Sequence, residues 1–237
     1  MITKIIIDRK GNIHYHKKGD FHSMFGVVKE ANIKPGIAKS DIDKDFIVFD
    51  ASFVDNIEKI KRGPAIAHQK DIGLIITTTG IGVGSKVVDA GSGCGKLAAS
   101  LARIGCKVIS YEINPEFYQI AKENIENLKA NVEIKNQDIY GGIEEDNLDL
   151  ITLDLLEPWK AVQHAEKALK SGAFLVAYLP TITQVMEFVK SLNNNFYLWK
   201  VSELIEREWI VDHLKVRPNS QMLGHTAFLV FVRKLGC

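Results

Sequence analysis

One segment of the chain strongly limits its fold, because it combines the marks of a buried strand, a tight turn and a helix. Residues 86–95 read Lys-Val-Val-Asp-Ala-Gly-Ser-Gly-Cys-Gly, and apolar residues then recur at helical spacing at Leu97, Ala98, Leu101 and Ala102. Glycines permit positive φ and close backbone approach, and a helix N-terminus offers free N–H groups. The segment therefore predicts an α/β fold with a nucleotide-type ligand at the turn.

Strand and helix patterns alternate after this point, which predicts β-α-β units in a doubly wound, mostly parallel sheet. Strands are expected near 86–90, 107–112, 132–137, 148–154 and 173–179. Helices are expected near 71–79, 95–104, 115–129, 158–169 and 181–192. No helix follows the β-patterned run 225–234, which fits a late antiparallel strand inserted into the sheet.

The N-terminal region has a different pattern, with short apolar runs separated by turn signals such as Lys-Lys-Gly-Asp. We therefore expect a small all-β domain over residues 1–58 and a second domain over 59–237. The first forty residues hold eight Lys or Arg against three acids, interleaved with His and aromatic residues. This mixture is typical either of a solvated sheet face or of a surface that contacts RNA by charge and stacking.

Composition restricts the class of protein. A net charge of +1 gives no global sign of a nucleic-acid binder, so a basic footprint must be local. No apolar run is long enough to cross a membrane, and charges interrupt the N-terminus too early for a signal peptide. Cys94, Cys106 and Cys237 have no metal-ligand spacing and suggest no disulfide framework. We expect a cytoplasmic protein with neither a metal nor a membrane partner.

The glycine spacing distinguishes two classes of cofactor. A dinucleotide fingerprint would place a third glycine at position 96, where this chain has Lys96. The pattern acid-x-Gly-x-Gly-x-Gly, with Gly91, Gly93 and Gly95, instead resembles motif I of class I methyltransferases that use S-adenosylmethionine. Glu112 ends the next strand pattern about twenty residues past the turn, where a carboxylate can accept hydrogen bonds from both ribose hydroxyls.

The resemblance to class I methyltransferases implies a seven-stranded sheet and a set of cofactor contacts. Asp138 follows a strand, where it can accept the adenine amino hydrogen beside the Ile139 N–H; the alternative is a solvated strand-end aspartate. Phe117 can pack on adenine or simply belong to the core. Cys94 is interpreted as a small loop residue rather than a nucleophile. The expected cofactor-binding residues are Gly91, Ser92, Gly93, Cys94, Gly95, Glu112, Phe117, Asp138 and Ile139.

A second informative stretch is 148–159, Leu-Asp-Leu-Ile-Thr-Leu-Asp-Leu-Leu-Glu-Pro-Trp. Its strand ends at Asp154, and Pro158 suits the first turn of a helix. The run closely resembles that of the tRNA (adenine-N1)-methyltransferases that act at position 58 of the T-loop.

Further stretches along essentially the whole chain resemble the same family. They are Arg62-Gly63-Pro64 with His68-Gln69-Lys70-Asp71, Tyr178-Leu-Pro-Thr-Ile-Thr-Gln184, and Arg217-Pro218 with Gly224-His225-Thr226 and Phe231-Val-Arg233-Lys234. Two positions depart from the family pattern at the expected substrate entrance: Ala65, where Gln is frequent, and Gln69, where Pro is frequent.

The resemblance implies methyl transfer from S-adenosylmethionine to N1 of a T-loop adenine, at position 58, and leaves open whether position 57 is a second target. Asp154 would accept a hydrogen bond from the adenine N6 amino group as positive charge develops on the base. Tyr178 would stack on or hydrogen-bond the base, which must be extruded from the folded loop. His68 would contact the substrate. The family's single-chain members are homotetramers, which implies a tetramer here.

Three other functions compete with this interpretation. A nicotinamide oxidoreductase would use the same turn and Glu112, but Lys96 disfavours it. A methyltransferase for protein or small-molecule acceptors would share motif I, but the stretches ending in Glu-Pro-Trp and Gly-His-Thr favour tRNA. A non-catalytic RNA-binding subunit would not need the intact glycines, Glu112, Asp138 and Asp154.

Overall fold

A computed structural model describes residues 1–63 and 66–236 of the chain. The departure from the family pattern at Ala65, and Cys237, lie outside the described residues. The chain divides into two compact units, Met1–Ile60 and Lys61–Cys237.

The first unit is a small β-structure. Its strands are β1 (Lys4–Ile7), β2 (Ile13–His16), β3 (Phe21–Ser23), β4 (Gly26–Val28), β5 (Gly36–Lys39) and β6 (Asp45–Asp50). Four of them form an antiparallel sheet in the order β2-β1-β6-β5, and β3 and β4 form a separate hairpin. A short helix α1 (Phe53–Ile57) follows. Alternate apolar residues from both sheets, including Ile6, Phe46 and Val28, form one buried core.

The second unit is built on a seven-stranded sheet in the order β12-β15-β11-β10-β7-β8-β9. These strands are β7 (Lys86–Ala90), β8 (Lys107–Tyr111), β9 (Val132–Lys135), β10 (Leu148–Leu153), β11 (Leu169–Leu179), β12 (Phe196–Glu203) and β15 (Phe228–Lys234). Neighbouring strands from β11 to β9 pair in parallel, whereas β15 pairs antiparallel with both β11 and β12. The sheet and the inserted antiparallel strand confirm the predicted class I methyltransferase fold.

Helices cover both faces of this sheet. They are α2 (Gln69–Thr79), α3 (Lys96–Arg103), α4 (Pro115–Leu128), α5 (Val162–Ala168) and α6 (Ile182–Lys190). Successive strand residues point to opposite faces, so Val87 packs with α2 and α3 while Val88 packs with α5 and α6. Burial on both faces explains why the central strands read as continuous apolar runs rather than as alternating ones.

The structure differs from the sequence expectation at two places. The helix expected over 158–169 is split into a 3₁₀ turn (Pro158–Ala161) followed by the shorter α5. The sequence analysis also missed β12 and the hairpin of β13 (Trp209–Asp212) and β14 (Lys215–Pro218). These strands carry many exposed side chains, so they lack the buried runs that identify the central strands.

No helix in the described part of the chain is long and apolar enough to span a membrane.

Candidate active site

A cavity of about 500 Å³ opens beside the carboxyl ends of the central strands of the second unit. We call it the main cavity. Its lining residues come from the turns after β7, β8, β10 and β11 and from helices: Ala67, Asp89, Gly91, Ser92, Gly93, Cys94, Lys96, Leu97, Glu112, Phe117, Asp154, Leu155, Leu156, Tyr178, Pro180 and Gln184. Ligands of doubly wound sheets bind at this edge, so the cavity is the candidate active site.

The glycine turn after β7 has the backbone that the sequence predicts. Gly91, Gly93 and Gly95 have φ values of 49°, 55° and 78°, in the left-handed region that disfavours other residues. A Cβ on Gly91 would collide with the carbonyl oxygen of Asp154, and one on Gly95 would lie 3.3 Å from Cγ1 of Ile125. The turn therefore needs glycine both for its conformation and for its close packing.

Asp89 lies beneath this turn and is almost completely buried. Its carboxylate accepts hydrogen bonds from the hydroxyls of Ser110 at 2.8 Å and Thr152 at 2.7 Å, and Ser110 is also 2.6 Å from the hydroxyl of Ser92. Burial raises the pKa of Asp89 to about 6 against the opposing effect of the Thr152 and Ser110 hydrogen bonds. The network connects β7, β8 and β10 below the cavity floor.

Glu112 follows β8 and is buried at the cavity wall. Its Oε2 accepts a hydrogen bond from the N–H of Gly93 at 3.0 Å, and its Oε1 accepts one from the N–H of Asn114 at 2.9 Å. The carboxylate is thereby held against the glycine turn, facing the cavity. A carboxylate oriented by two backbone donors retains free lone pairs for further hydrogen bonds.

A smaller cavity of about 190 Å³ adjoins the main one, and the two share Gly91, Glu112, Leu155 and Leu156. Asp138 and Ile139 line this smaller cavity together with Ile113 and Tyr140. The Asp138 side chain also accepts a hydrogen bond from the N–H of Tyr140 at 2.9 Å, which starts the 3₁₀ turn Ile139–Gly141.

Phe117 lines the main cavity, whereas Asp138 and Ile139 line the smaller one. The three residues expected around adenine therefore line two cavities that adjoin and share four residues. Ile113, Leu155 and Leu156 add apolar walls to the smaller cavity beside the predicted Ile139.

Asp154 lies where β10 ends, and its N–H donates to the carbonyl oxygen of Ala90 at 2.6 Å. Its carboxylate faces the main cavity without a side-chain hydrogen bond to any described residue. Burial, followed by the negative charges of Asp89 and Glu112, raises the pKa of Asp154 to about 7. A carboxylate with a pKa near neutrality and no hydrogen bond from the described residues is suited to interact with a bound molecule.

Tyr178 lines the main cavity at the end of β11, and its hydroxyl donates to Oδ2 of Asp71 at 3.0 Å. Burial and the adjacent charge of Asp71 raise the pKa of this phenol above its ordinary value. The hydroxyl is thus bound to the protein, while the side chain contributes to the cavity wall.

Two predicted residues have less direct positions. His68 precedes α2, and its carbonyl accepts from the N–H groups of Asp71 and Ile72, both at 3.0 Å. The neighbouring Ala67, and not His68, is among the described residues that line the main cavity. Cys94 is buried, and burial raises the pKa of its thiol, which disfavours a nucleophilic role.

Gln184, known from the sequence only as the last residue of the Tyr-x-Pro-x-x-x-Gln motif, holds the rim of the main cavity in place. Its Nε2 donates to the carbonyl oxygen of Leu156 at 3.1 Å, and its Oε1 accepts from the hydroxyl of Thr181 at 2.8 Å. It thereby joins the segment after β10 to the start of α6. The Tyr-x-Pro-x-x-x-Gln spacing was a usable signal, because it places Tyr178 and Gln184 on either side of one strand end.

The described residues include no group of three or more His, Cys, Asp or Glu placed to hold a metal ion.

Comparisons with known proteins agree with this geometry. Residues 60–216 match the family model of the tRNA methyltransferase complex GCD14 subunit. The chain is 33% identical to a tRNA (adenine(57)-N(1)/adenine(58)-N(1))-methyltransferase, TrmI, of Methanocaldococcus jannaschii, over 97% of this chain and 94% of the relative.

Two solved structures have the same architecture over nearly the whole chain. The tRNA (m1A58) methyltransferase TrmI of Aquifex aeolicus is 27% identical with a TM-score of 0.85, covering 99% of this chain and 97% of that one. A protein of Thermotoga maritima, described as an S-adenosylmethionine-dependent O-methyltransferase, is 27% identical with a TM-score of 0.89, covering 100% and 94%.

Proposed function

The chain belongs to the tRNA methyltransferase family of the GCD14 subunit, and from that premise we propose that it methylates N1 of adenine 58 in the tRNA T-loop, with S-adenosylmethionine as donor. One observation carries the proposal. The cavity beside the glycine turn is lined by Glu112, by Tyr178 and by Asp154, whose carboxylate has no hydrogen-bond partner among the described residues.

The residues around the two cavities fit S-adenosylmethionine. A side chain at Gly91 would collide with the carbonyl oxygen of Asp154, so the turn needs glycine at this position. The Glu112 carboxylate accepts a hydrogen bond from the N–H of Gly93 and lines both cavities. Glu112 would accept the ribose hydroxyls, and Asp138 with Ile139 would hold adenine in the smaller cavity. Ser92, Cys94 and Gly95 would form the remainder of the turn. When bound, the cofactor supplies an electrophilic methyl group on a positively charged sulfur.

Asp154 has the position and charge to assist methylation of an adenine. As N1 of adenine gains a methyl group, positive charge spreads to the N6 amino group. The Asp154 carboxylate would accept a hydrogen bond from N6, stabilise that charge and accept a proton. Because it has no hydrogen bond from the described protein, no existing contact must be broken first.

Tyr178 and His68 would contact the tRNA. The target adenine must leave the folded T-loop to enter a cavity of this size, and an aromatic ring at the wall can stack on it. Tyr178 provides such a ring. His68, beside the cavity residue Ala67, would contact the substrate at the entrance.

The first unit carries basic side chains suited to RNA. Lys4, Lys29 and Lys39 form ion pairs with acids, whereas Arg9, Lys10, Lys17, Lys18 and Lys34 have none within the described chain. Lys17 and Lys18 are exposed beside β2, which also carries the exposed Tyr15. Unpaired cations near aromatic rings would bind phosphates and bases, so this domain (residues 1–58) would hold the tRNA.

We further propose that the enzyme is a homotetramer, as the family resemblance implies, and that a tRNA substrate places it in the cytoplasm. Large apolar side chains on β12 and on the β13–β14 hairpin are exposed in the single chain: Tyr197, Trp199, Val201, Trp209, Val211 and Val216. Exposed apolar patches of this kind mark protein contacts. Light scattering coupled to size exclusion would give the mass in solution.

A direct experiment tests the proposed reaction. The protein is incubated with labelled S-adenosylmethionine and an unmodified tRNA transcript, and the methylated nucleoside is identified and mapped. We expect 1-methyladenosine at position 58. A transcript with guanine at 58 should accept no label unless adenine 57 is also a target, and a transcript with guanine at both positions should accept none.

The same experiment distinguishes the alternative acceptor. The Thermotoga maritima neighbour is described as an O-methyltransferase. Label on a ribose or on a small-molecule hydroxyl, with none on adenine N1, would contradict the proposed function and favour that alternative.

A further inference from the structure

We propose that Asp71 is a positioning residue, which holds the ring of Tyr178 at the wall of the main cavity, and that Lys70 and Thr226 in turn fix Asp71. The inference rests on the proposed function, because the ring matters as the surface against which the target base lies. We call these four residues the Asp71 cluster.

Asp71 is completely buried, and both of its carboxylate oxygens accept hydrogen bonds. Oδ2 accepts a hydrogen bond from the Tyr178 hydroxyl at 3.0 Å and another from the Thr226 hydroxyl at 2.8 Å. Oδ1 accepts from Nζ of Lys70 at 2.7 Å, and the same Nζ donates to the Thr226 hydroxyl at 2.6 Å. A buried carboxylate is stable only when it is paired and hydrogen-bonded, and this one is both.

The cluster joins three parts of the chain that meet only in the folded protein. Asp71 and Lys70 lie in the first turn of α2, Tyr178 lies near the end of β11, and Thr226 precedes β15. The Tyr178–Asp71 contact spans 107 residues and the Thr226–Asp71 contact spans 155. Since β15 is the antiparallel neighbour of β11, the inserted strand carries Thr226 to Asp71.

The hydrogen bond determines what Tyr178 can do. Its proton points to Asp71, and the adjacent negative charge further raises the pKa of the phenol. The hydroxyl therefore cannot donate a hydrogen bond to the base without breaking a buried contact. The ring remains fixed, and a fixed ring is a stacking surface that loses little conformational entropy when the base arrives.

The cluster differs from ordinary core packing because it connects directly to a cavity residue. Lys70 and Asp71 are not among the residues that line the main cavity, so they act through Tyr178 rather than on the substrate. Tyr178 is half-buried, with its hydroxyl end in the cluster. Loss of Asp71 should therefore affect tRNA methylation while cofactor binding, which depends on other residues, is preserved.

A double-mutant cycle tests this relationship. Asp71→Asn, Tyr178→Phe and the double variant are compared with wild type in kcat and KM for tRNA and in affinity for S-adenosylmethionine. We expect each single variant to lose roughly tenfold in kcat/KM for tRNA, and the double variant to lose about tenfold rather than about a hundredfold. Cofactor affinity should stay within about twofold in all of them.

Milder variants and matched controls keep the test decisive if Asp71→Asn folds poorly. Thr226→Val removes one hydroxyl from the cluster, and it should lower kcat/KM in wild type but not in Tyr178→Phe. Thr77→Val, exposed on the same helix α2, and Asp149→Asn, ion-paired to Lys170 at the opposite end of the sheet, should leave kcat/KM unchanged. Additive effects of the Asp71 or Thr226 variants with Tyr178→Phe would overturn the proposal.

A measurement independent of activity separates this inference from the proposed function. In protein labelled with ¹³C at the tyrosine ζ position, the resonance absent from Tyr178→Phe reports on the carbon that carries this hydroxyl. We expect this resonance to shift in Asp71→Asn and in Thr226→Val, because its chemical shift depends on the hydrogen bonds of the hydroxyl. An unchanged resonance in Asp71→Asn would overturn the positioning role, even if tRNA methylation is found. A shifted resonance in both variants without tRNA methylation would refute the function alone.

Discussion

The carbonyl oxygen of Asp154 lies so close to Gly91 that a Cβ on Gly91 would fall less than 3.0 Å from it. The N–H of Asp154 also donates to the carbonyl oxygen of Ala90 at 2.6 Å. The ends of β7 and β10 are therefore in backbone contact, and the glycine turn and the carboxylate proposed for catalysis are held in one rigid arrangement.

Substitution of Gly91 should show how strongly this contact is required. In Gly91→Ala, the positive φ of 49° and the collision with Asp154 should destabilise the protein by about 2 kcal/mol or more. Gly73→Ala is the matched control, because Gly73 lies inside α2 with open space around its Cβ position, and it should stabilise by about 0.5–1 kcal/mol. Thermal and urea unfolding of both variants checks the prediction. Equal stabilities would show that the turn accommodates a side chain.

Substitution of Glu112 should weaken cofactor binding. Glu112→Ala removes a carboxylate proposed to bind two ribose hydroxyls, and the affinity for S-adenosylmethionine should fall by about 1.5–3 kcal/mol. Glu116→Ala removes an exposed carboxylate from the first turn of α4 and should leave the affinity nearly unchanged. Isothermal titration calorimetry measures both. Unchanged binding by Glu112→Ala, or tighter binding of NAD than of S-adenosylmethionine by wild type, would refute the assignment.

Asp154→Asn should separate chemistry from cofactor binding. The substitution keeps the shape of the side chain but removes the charge that stabilises the methylated base. Loss of one such electrostatic partner costs on the order of 10²–10³ in kcat. Affinity for S-adenosylmethionine should change much less, since Glu112 and Asp138 are proposed to hold it. A rate near that of wild type would reject the role, and a parallel loss of cofactor affinity would make Asp154 a cofactor anchor.

The pKa of about 7 for Asp154 predicts a pH dependence of the rate. The proposed mechanism needs the charged carboxylate, so kcat/KM for tRNA should rise with pH through about 7. Below that value it should fall about tenfold per pH unit. Asp154→Asn should lack this dependence. Rates measured from pH 5 to 9 at constant ionic strength provide the test, and a wild-type profile that is flat through neutrality would contradict it.

The same pKa affects stability with a definite sign. An unfolded aspartate has a pKa of about 3.9, so between about pH 4 and 7 the folded protein binds the extra proton and its stability falls as pH rises. Asp154→Asn removes this cost. The variant should be more stable than wild type at pH 8 by about 1–3 kcal/mol, and the difference should shrink at pH 5. A difference independent of pH would mean that Asp154 is charged throughout.

Lysines of the first unit should contribute to tRNA binding according to whether they are already paired. Lys17→Ala with Lys18→Ala removes two cations without acidic partners, so tRNA affinity should fall and the slope of log affinity against log salt should decrease by about 2. Lys29→Ala with Lys39→Ala removes two lysines already paired with Asp20 and Asp43, and it should change binding much less. Fluorescence anisotropy with labelled tRNA measures both pairs. Equal effects would refute an RNA surface around Lys17.

Features that depend on neighbours along the chain could be predicted from the sequence alone. The strand, turn and helix at 86–103 follow from local apolar spacing and from glycines, and the structure places β7 and α3 there. The alternation of strands and helices similarly predicts a parallel sheet with Glu112, Asp138 and Asp154 at one edge, because parallel strands all end on the same side. The exposed β12 and the β13–β14 hairpin were missed, since few buried side chains mark them.

Which of these side chains meet, and with what charge, depends on how the strands and helices pack in three dimensions. Phe117 and Asp138 line two adjoining cavities, and the Tyr178 hydroxyl donates a hydrogen bond to Asp71 across 107 residues. The pKa of Asp154 is raised by burial and by carboxylates on two other strands. Such effects depend on strand order and on the distance between groups far apart in sequence, which local periodicity does not contain. Burial strengthens every charge interaction within a fold, so the chemistry of the site is set by the packing that surrounds it.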